Sequence, residues 1–159
     1  MTKTLFVGID PGQTGGIAFI QNGQAWAYKM PTTERDVLET LGEAWSLLPE
    51  HTTVVAFLEK VHAMPAPQKG RPGRGSKANW ALGQNYGFLR GCLTALRIPF
   101  HDVAPNTWQK ALGCQTRGDK NVSKQAAQQL FPDIKITHAI ADSLLIAEYG
   151  RRMKVQGKL

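Results

Sequence analysis

The sequence predicts a mixed α/β fold in which helices cover a central five-stranded sheet, its first three strands antiparallel. Short apolar runs separated by turn signals fill the first thirty residues, and helical patterns then alternate with further apolar runs. No internal repeat or linker divides the chain, so residues 1–159 are expected to form one domain.

Leu5–Ile9 is an apolar run that reads as a buried strand. Asp10-Pro11-Gly12 turns the chain, and Gly15–Ile20 resumes the strand pattern. Asn22-Gly23 is a strong hairpin signal leading into Gln24–Met30, which completes an antiparallel meander. A helix is predicted over Glu34–Leu48, capped by Thr33. Val37, Leu38, Leu41, Trp45 and Leu48 fall at helical spacing, and Glu34 and Asp36 suit the positive end of the dipole. Thr53–Leu58 is another buried strand and ends at Glu59. Lys60–Ser76, with its prolines, glycines and basic residues, is expected to be a mobile loop.

Ala78–Leu96 reads as a helix. Its glycines at 83, 87 and 91 would admit close approach of another element, and its apolar face could supply a dimer interface. Pro99–Val103 is a short strand. Pro105 opens a helix running to Leu112, and two further helices cover Asn121–Leu130 and His138–Arg152. The strands that alternate with helices should be parallel.

Composition excludes several classes. At 42% hydrophobic residues the chain can bury a sizeable core, so wholesale disorder is not expected. No apolar run approaches the roughly 18–20 residues of a membrane helix. The opening Met1-Thr2-Lys3-Thr4 meets only a short apolar stretch, unlike a signal peptide. Cys92 and Cys114 lie apart without a partner motif, which fits a reducing cytoplasm.

The formal charge is +7, but it is unevenly spread. Between Lys60 and Lys135 there are twelve basic residues and three acids, a balance of +9, while the remainder carries −2. Such asymmetry points to a polyanion on one face; ordinary solubilising charge is the plainer explanation of the total.

Three acids occupy unusual contexts. Asp10 and Glu59 each stand where an apolar strand ends. Asp142 lies in the otherwise apolar helix around Ala139, Ile140, Ala141, Leu144 and Leu145. A lone buried carboxylate loses its hydration, and neighbouring carboxylates oppose each other's ionisation. A divalent metal resolves both difficulties. His138 precedes Asp142 by four residues, on the same helical face. Each residue also has a plainer role open to it: Asp10 in a turn, Glu59 as the first solvated position, Asp142 as a snorkelling acid, His138 as a helix cap.

Phe6-Val7-Gly8-Ile9-Asp10-Pro11-Gly12, Phe57-Leu58-Glu59-Lys60-Val61-His62-Ala63-Met64-Pro65 and Ala141-Asp142-Ser143-Leu144-Leu145-Ile146-Ala147 resemble, in order, motifs of the RuvC family of Holliday junction resolvases, particularly its bacteriophage-type members. The resemblance spans nearly the whole chain. It implies an RNase H-like fold, a homodimer, and cutting of branched DNA with two Mg²⁺ or Mn²⁺ ions to leave 5′-phosphate and 3′-hydroxyl ends. It also implies that Asp10, Glu59 and Asp142 are metal ligands. The family carries a further Asp or His about one turn before its last Asp; Ala139 stands three residues before Asp142, so His138 is the implied fourth ligand. Lys110 and Lys120 fall where the family places basic residues near the scissile phosphate, with Lys124 an alternative bearer of that role.

Lys69, Arg71, Arg74, Lys77 and Lys124 would contact the DNA backbone. Trp80 and Tyr86 are candidates to stack on an unpaired base, and His62 to orient a ligand or touch phosphate. Three other functions are weighed. Ile9–Gly15 also resembles the phosphate-binding hairpin of actin- and sugar-kinase-like ATPases, but those need two related domains. An RNase H- or exonuclease-like enzyme would share the fold. A DNA-binding module with weak or no nuclease activity is suggested by Ala139.

Overall fold

A computed structural model describes residues 3–46 and 52–158. The strands are β1 (Thr4–Asp10), β2 (Gly16–Gln21), β3 (Gln24–Lys29), β4 (Thr53–Glu59) and β5 (Phe100–Val103). The helices are α1 (Glu34–Ser46), α2 (Ser76–Ala95), α3 (Pro105–Leu112), α4 (Lys120–Leu130) and α5 (His138–Val155). Leu48, at the predicted end of the first helix, lies outside the described residues. Among the described residues, no helix is long and apolar enough to cross a membrane.

The sheet order is β3-β2-β1-β4-β5. β1, β2 and β3 form the antiparallel meander, and Asn22 and Gly23 take positive φ values of 51° and 81° at its hairpin turn. β4 and β5 run parallel to their neighbours. Both faces of the sheet are covered, which is why the central strands are apolar almost throughout. Leu5, Val7 and Ile9 pack towards Val37 and Leu41 of α1 and Leu89 and Leu93 of α2. Phe6, Val55 and Phe57 pack towards Trp108 of α3, Ala127 of α4 and the apolar side of α5. Thr33 Oγ1 caps α1 by accepting from the Asp36 N–H at 3.1 Å.

Alternation along the strands decides where the acids point. Asp10 has the parity of Phe6 and Gly8, and Glu59 that of Val55 and Phe57. Both therefore rise from the face that α5 covers. Gly8 lets α5 approach: a Cβ there would stand 2.1 Å from the Ser143 carbonyl oxygen and 2.4 Å from the Ala147 nitrogen. The backbone contact sets α5, with Asp142, directly over β1.

Two expectations change. No described element of this chain packs on the glycines of α2, since a Cβ at Gly83, Gly87 or Gly91 meets nothing within 4 Å among the described residues. The Lys60–Ser76 stretch is irregular but tied down. Gln68 and Arg71 pair as a small bridge, and the Arg74 N–H donates to the Pro65 carbonyl at 2.8 Å. Asn79 then binds the loop as a strand would. Its Oδ1 accepts from the Met64 N–H at 3.0 Å, and its Nδ2 donates to the Met64 and Arg74 carbonyls at 2.7 and 3.0 Å.

Candidate active site

Asp10, Glu59 and Asp142 open into one cavity of about 520 Å³ at the end of the sheet where β1 and β4 stop. Ile9 of β1 pairs with Leu58 of β4, so Asp10 and Glu59 stand at one level on adjacent strands. Lys120, Lys60, His62 and Arg74 also line the cavity.

Each carboxylate is held differently. Asp10 Oδ1 accepts from the Gly12 N–H at 3.1 Å, within the turn that follows β1. Burial nevertheless lifts its pKa from 3.8 to about 6; the charge of Asp142 adds to this, while the Gly12 N–H and Lys120 oppose it. Glu59 Oε1 accepts from the indole Nε1–H of Trp108 at 3.0 Å. Burial is again the main cause that pushes Glu59 from 4.5 to about 8, reinforced by Asp10 and Asp142 and opposed by Trp108. Burial also raises Asp142, against Ser123, Lys120 and His138, which favour its charged form. Its Oδ1 is buried and has no hydrogen-bond partner among the described residues.

Three carboxylates that resist ionisation, one with an orphaned buried oxygen, form a donor set suited to a hard divalent cation, which takes oxygen ligands. Among the described residues, no three His, Cys, Asp or Glu side chains are gathered so as to hold an ion as they stand. The acids share one cavity rather than one coordination point.

The other residues singled out from the sequence fall in several places. Lys120 is the first residue of α4, whose N-cap Asp119 accepts from the Asn121 N–H at 2.9 Å, and it reaches the cavity. Lys110, exposed in the last turn of α3, and Lys124, half-buried on α4, are not among the cavity's lining residues. His138 opens α5 and is exposed; it acts on Asp142 through its charge and does not line the cavity. Lys69, Arg71 and Lys77 are exposed, whereas Arg74 turns inward and donates through Nη1 to the His62 carbonyl at 3.1 Å. Trp80 is 70% exposed. Tyr86 is engaged elsewhere: its hydroxyl donates to Asp102 Oδ1, and Arg90 stacks over its ring while pairing with the same Asp102.

Trp108, Asn79 and Asn85 were not apparent as site residues from the sequence. A buried indole ordinarily finds an acceptor, so Trp108, opposite a strand-ending Glu59, carried a faint signal. Asn85, whose Nδ2 donates to the Pro11 carbonyl and ties α2 to the turn after Asp10, carried none.

The chain has the RNase H-like fold found in RuvC. One solved structure similar to it is Thermus thermophilus RuvC in complex with Holliday junction substrate. Its TM-score is 0.63 at 15% sequence identity, over 97% of this chain and 96% of that one. Another, Thermus thermophilus RuvC structure, gives 0.58 at 15% identity over 96% of each. No protein-family model matches the sequence, and no curated protein does.

Proposed function

We propose that this chain is a metal-dependent, structure-selective endonuclease that resolves Holliday junctions and related branched DNA, leaving 5′-phosphate and 3′-hydroxyl ends. The observation that carries the proposal is the convergence of Asp10, Glu59 and Asp142 on one cavity of a RuvC-like fold, with Lys120 and Arg74 beside them. The neighbour's bound junction supports the choice of substrate.

Asp10, Glu59 and Asp142 would hold Mg²⁺ or Mn²⁺, two ions in all, which would supply Lewis-acid activation of a water and neutralisation of phosphate charge. Lys120 donates to the phosphate oxygens as negative charge develops, in a site partly withdrawn from water. Trp108 keeps one oxygen of Glu59 occupied and so orients the other. Lys69, Arg71 and Lys77 hold the DNA backbone without reading sequence, and Trp80 offers an exposed face to an unpaired base. Symmetrical cutting of two strands calls for two copies of the chain, and the open glycine face of α2 is the surface we assign to that homodimer. The setting is the cytoplasm of a bacterial or phage-infected cell.

The test is cleavage of a mobile four-way junction in Mg²⁺ or Mn²⁺, compared with duplex, flap and RNA–DNA hybrid. Asp10→Asn is expected to bind the junction and not cut it; undiminished cutting removes Asp10 from the active site. Cleavage confined to the hybrid overturns the resolvase reading. The exposed position of His138 favours a second reading, a branched-DNA-binding protein with weak catalysis. Binding without cutting by the unaltered chain, in both metals, would establish it.

A further inference from the structure

We propose that a second cavity, beside the candidate active site, receives a single unpaired nucleobase bearing an exocyclic amino group. The inference rests on the nuclease reading and deepens it. This cavity has a volume of about 460 Å³, within the roughly 300–1,000 Å³ usual for small-ligand sites. Gln13 and Ala81 line both cavities, so the two adjoin. A nucleotide whose phosphate lies among Lys60, Arg74 and Lys120 can place its base next door.

The two cavities differ in charge. Lys60, Arg74 and Lys120 stand beside the three carboxylates in the catalytic one, while the only charged residue among the described lining of the second is the acid Glu34. A phosphate is repelled there; a neutral heterocycle is not. Met30, 4% exposed, and the half-buried Phe88 provide an apolar surface, and Gln13 and Gln84 stand exposed at the edge. An apolar face for the ring and polar groups for its rim are what an extruded base requires. The carboxylate of Glu34, exposed at the cavity's rim, is an acceptor only, so it selects bases that present an amino group and disfavours thymine, which offers a carbonyl at the corresponding position. The Asn85 bond to the Pro11 carbonyl fixes this wall to the turn after Asp10. Bases at a branch point are the least well stacked and cost the least to extrude.

The experiment places 5-iodo-2′-deoxycytidine at each branch-point nucleotide of a four-way junction in turn. The full chain is bound in EDTA, irradiated, and its crosslinked peptides are mapped by mass spectrometry. One position is expected to crosslink to the peptide carrying Phe88 or Met30. 5-Iodo-2′-deoxyuridine at that position should crosslink about fivefold less, and Glu34→Gln should equalise the two. Crosslinks confined to other peptides, equal yields in the unaltered chain, or a difference that persists in Glu34→Gln overturn the proposal. A junction that is cut but crosslinks elsewhere removes the base site and leaves the nuclease. A junction that crosslinks at Phe88 but is never cut in Mg²⁺ or Mn²⁺ does the reverse.

Discussion

Glu59→Gln separates the stability of this fold from its proposed chemistry. In the folded chain Glu59 titrates near 8 instead of 4.5. Below pH 4.5 folded and unfolded chains both keep the proton, and the preference for the folded state is intact. As pH rises from 4.5 to about 8 the unfolded chain releases the proton and the folded chain retains it, so stability falls; above about 8 it levels off. At about 1.36 kcal/mol per pK unit, the loss between pH 5 and 9 is roughly 4 kcal/mol, a large part of the roughly 5–15 kcal/mol that holds a domain folded. Glutamine does not titrate, and its carbonyl can still accept from Trp108. In EDTA the variant should therefore gain on the unaltered chain by about 4 kcal/mol as pH rises from 5 to 9. Asp10 titrates in both proteins and cancels. Urea unfolding followed by tryptophan fluorescence at the two pH values measures the gap. Saturating Mg²⁺ at pH 9 should narrow it, because only the unaltered chain keeps all three carboxylates and gains about 2.7 kcal/mol at a hundred times Kd. A gap that stays constant from pH 5 to 9 refutes the burial of Glu59 as its cause.

Trp108→Phe removes the indole hydrogen bond that favours ionised Glu59. It should cost about 1–3 kcal/mol and move the rising limb of the cleavage pH profile upwards; an unmoved limb with lower stability would make Trp108 a packing residue alone. Asn79→Ala frees Met64 and Arg74, at roughly 1 kcal/mol per lost bond in urea unfolding. It should lower the single-turnover cutting rate more than junction affinity, and the reverse pattern would place the loop in binding only. For Lys69→Ala with Arg71→Ala, the slope of log affinity against log salt should fall by nearly 2 if both touch duplex phosphate; an unchanged slope removes them from the interface.

Much of the fold was legible because its signals are local. Leu5–Ile9 and Val54–Leu58 are buried along their whole length because helices cover both sides of the sheet, and Asn22-Gly23 has the backbone freedom its turn demands. Asp10 and Glu59 stood out for a similar reason, as acids that end such runs. Lys110 and Lys120 could not be told apart. Both lie on short helices, and only the packing of α3 and α4 sends one to the cavity and leaves the other in solvent. The tethering of the 60–76 loop was equally hidden. Asn79 reaches Met64 across fifteen residues, and nothing in composition distinguishes such an amide from any polar residue in a first helical turn.

The pairing of Ile9 with Leu58 has a consequence for how this sequence can change over time. Hydrogen-bonded strands lie about 4.7–4.9 Å apart, so the backbone separation beneath Asp10 and Glu59 is fixed by the sheet itself. Deleting or inserting one residue in either strand would turn its carboxylate to the opposite face, even with the apolar content unaltered. Point substitutions can explore the rim of this site, but length variation is confined to the segments beyond β1 and β4.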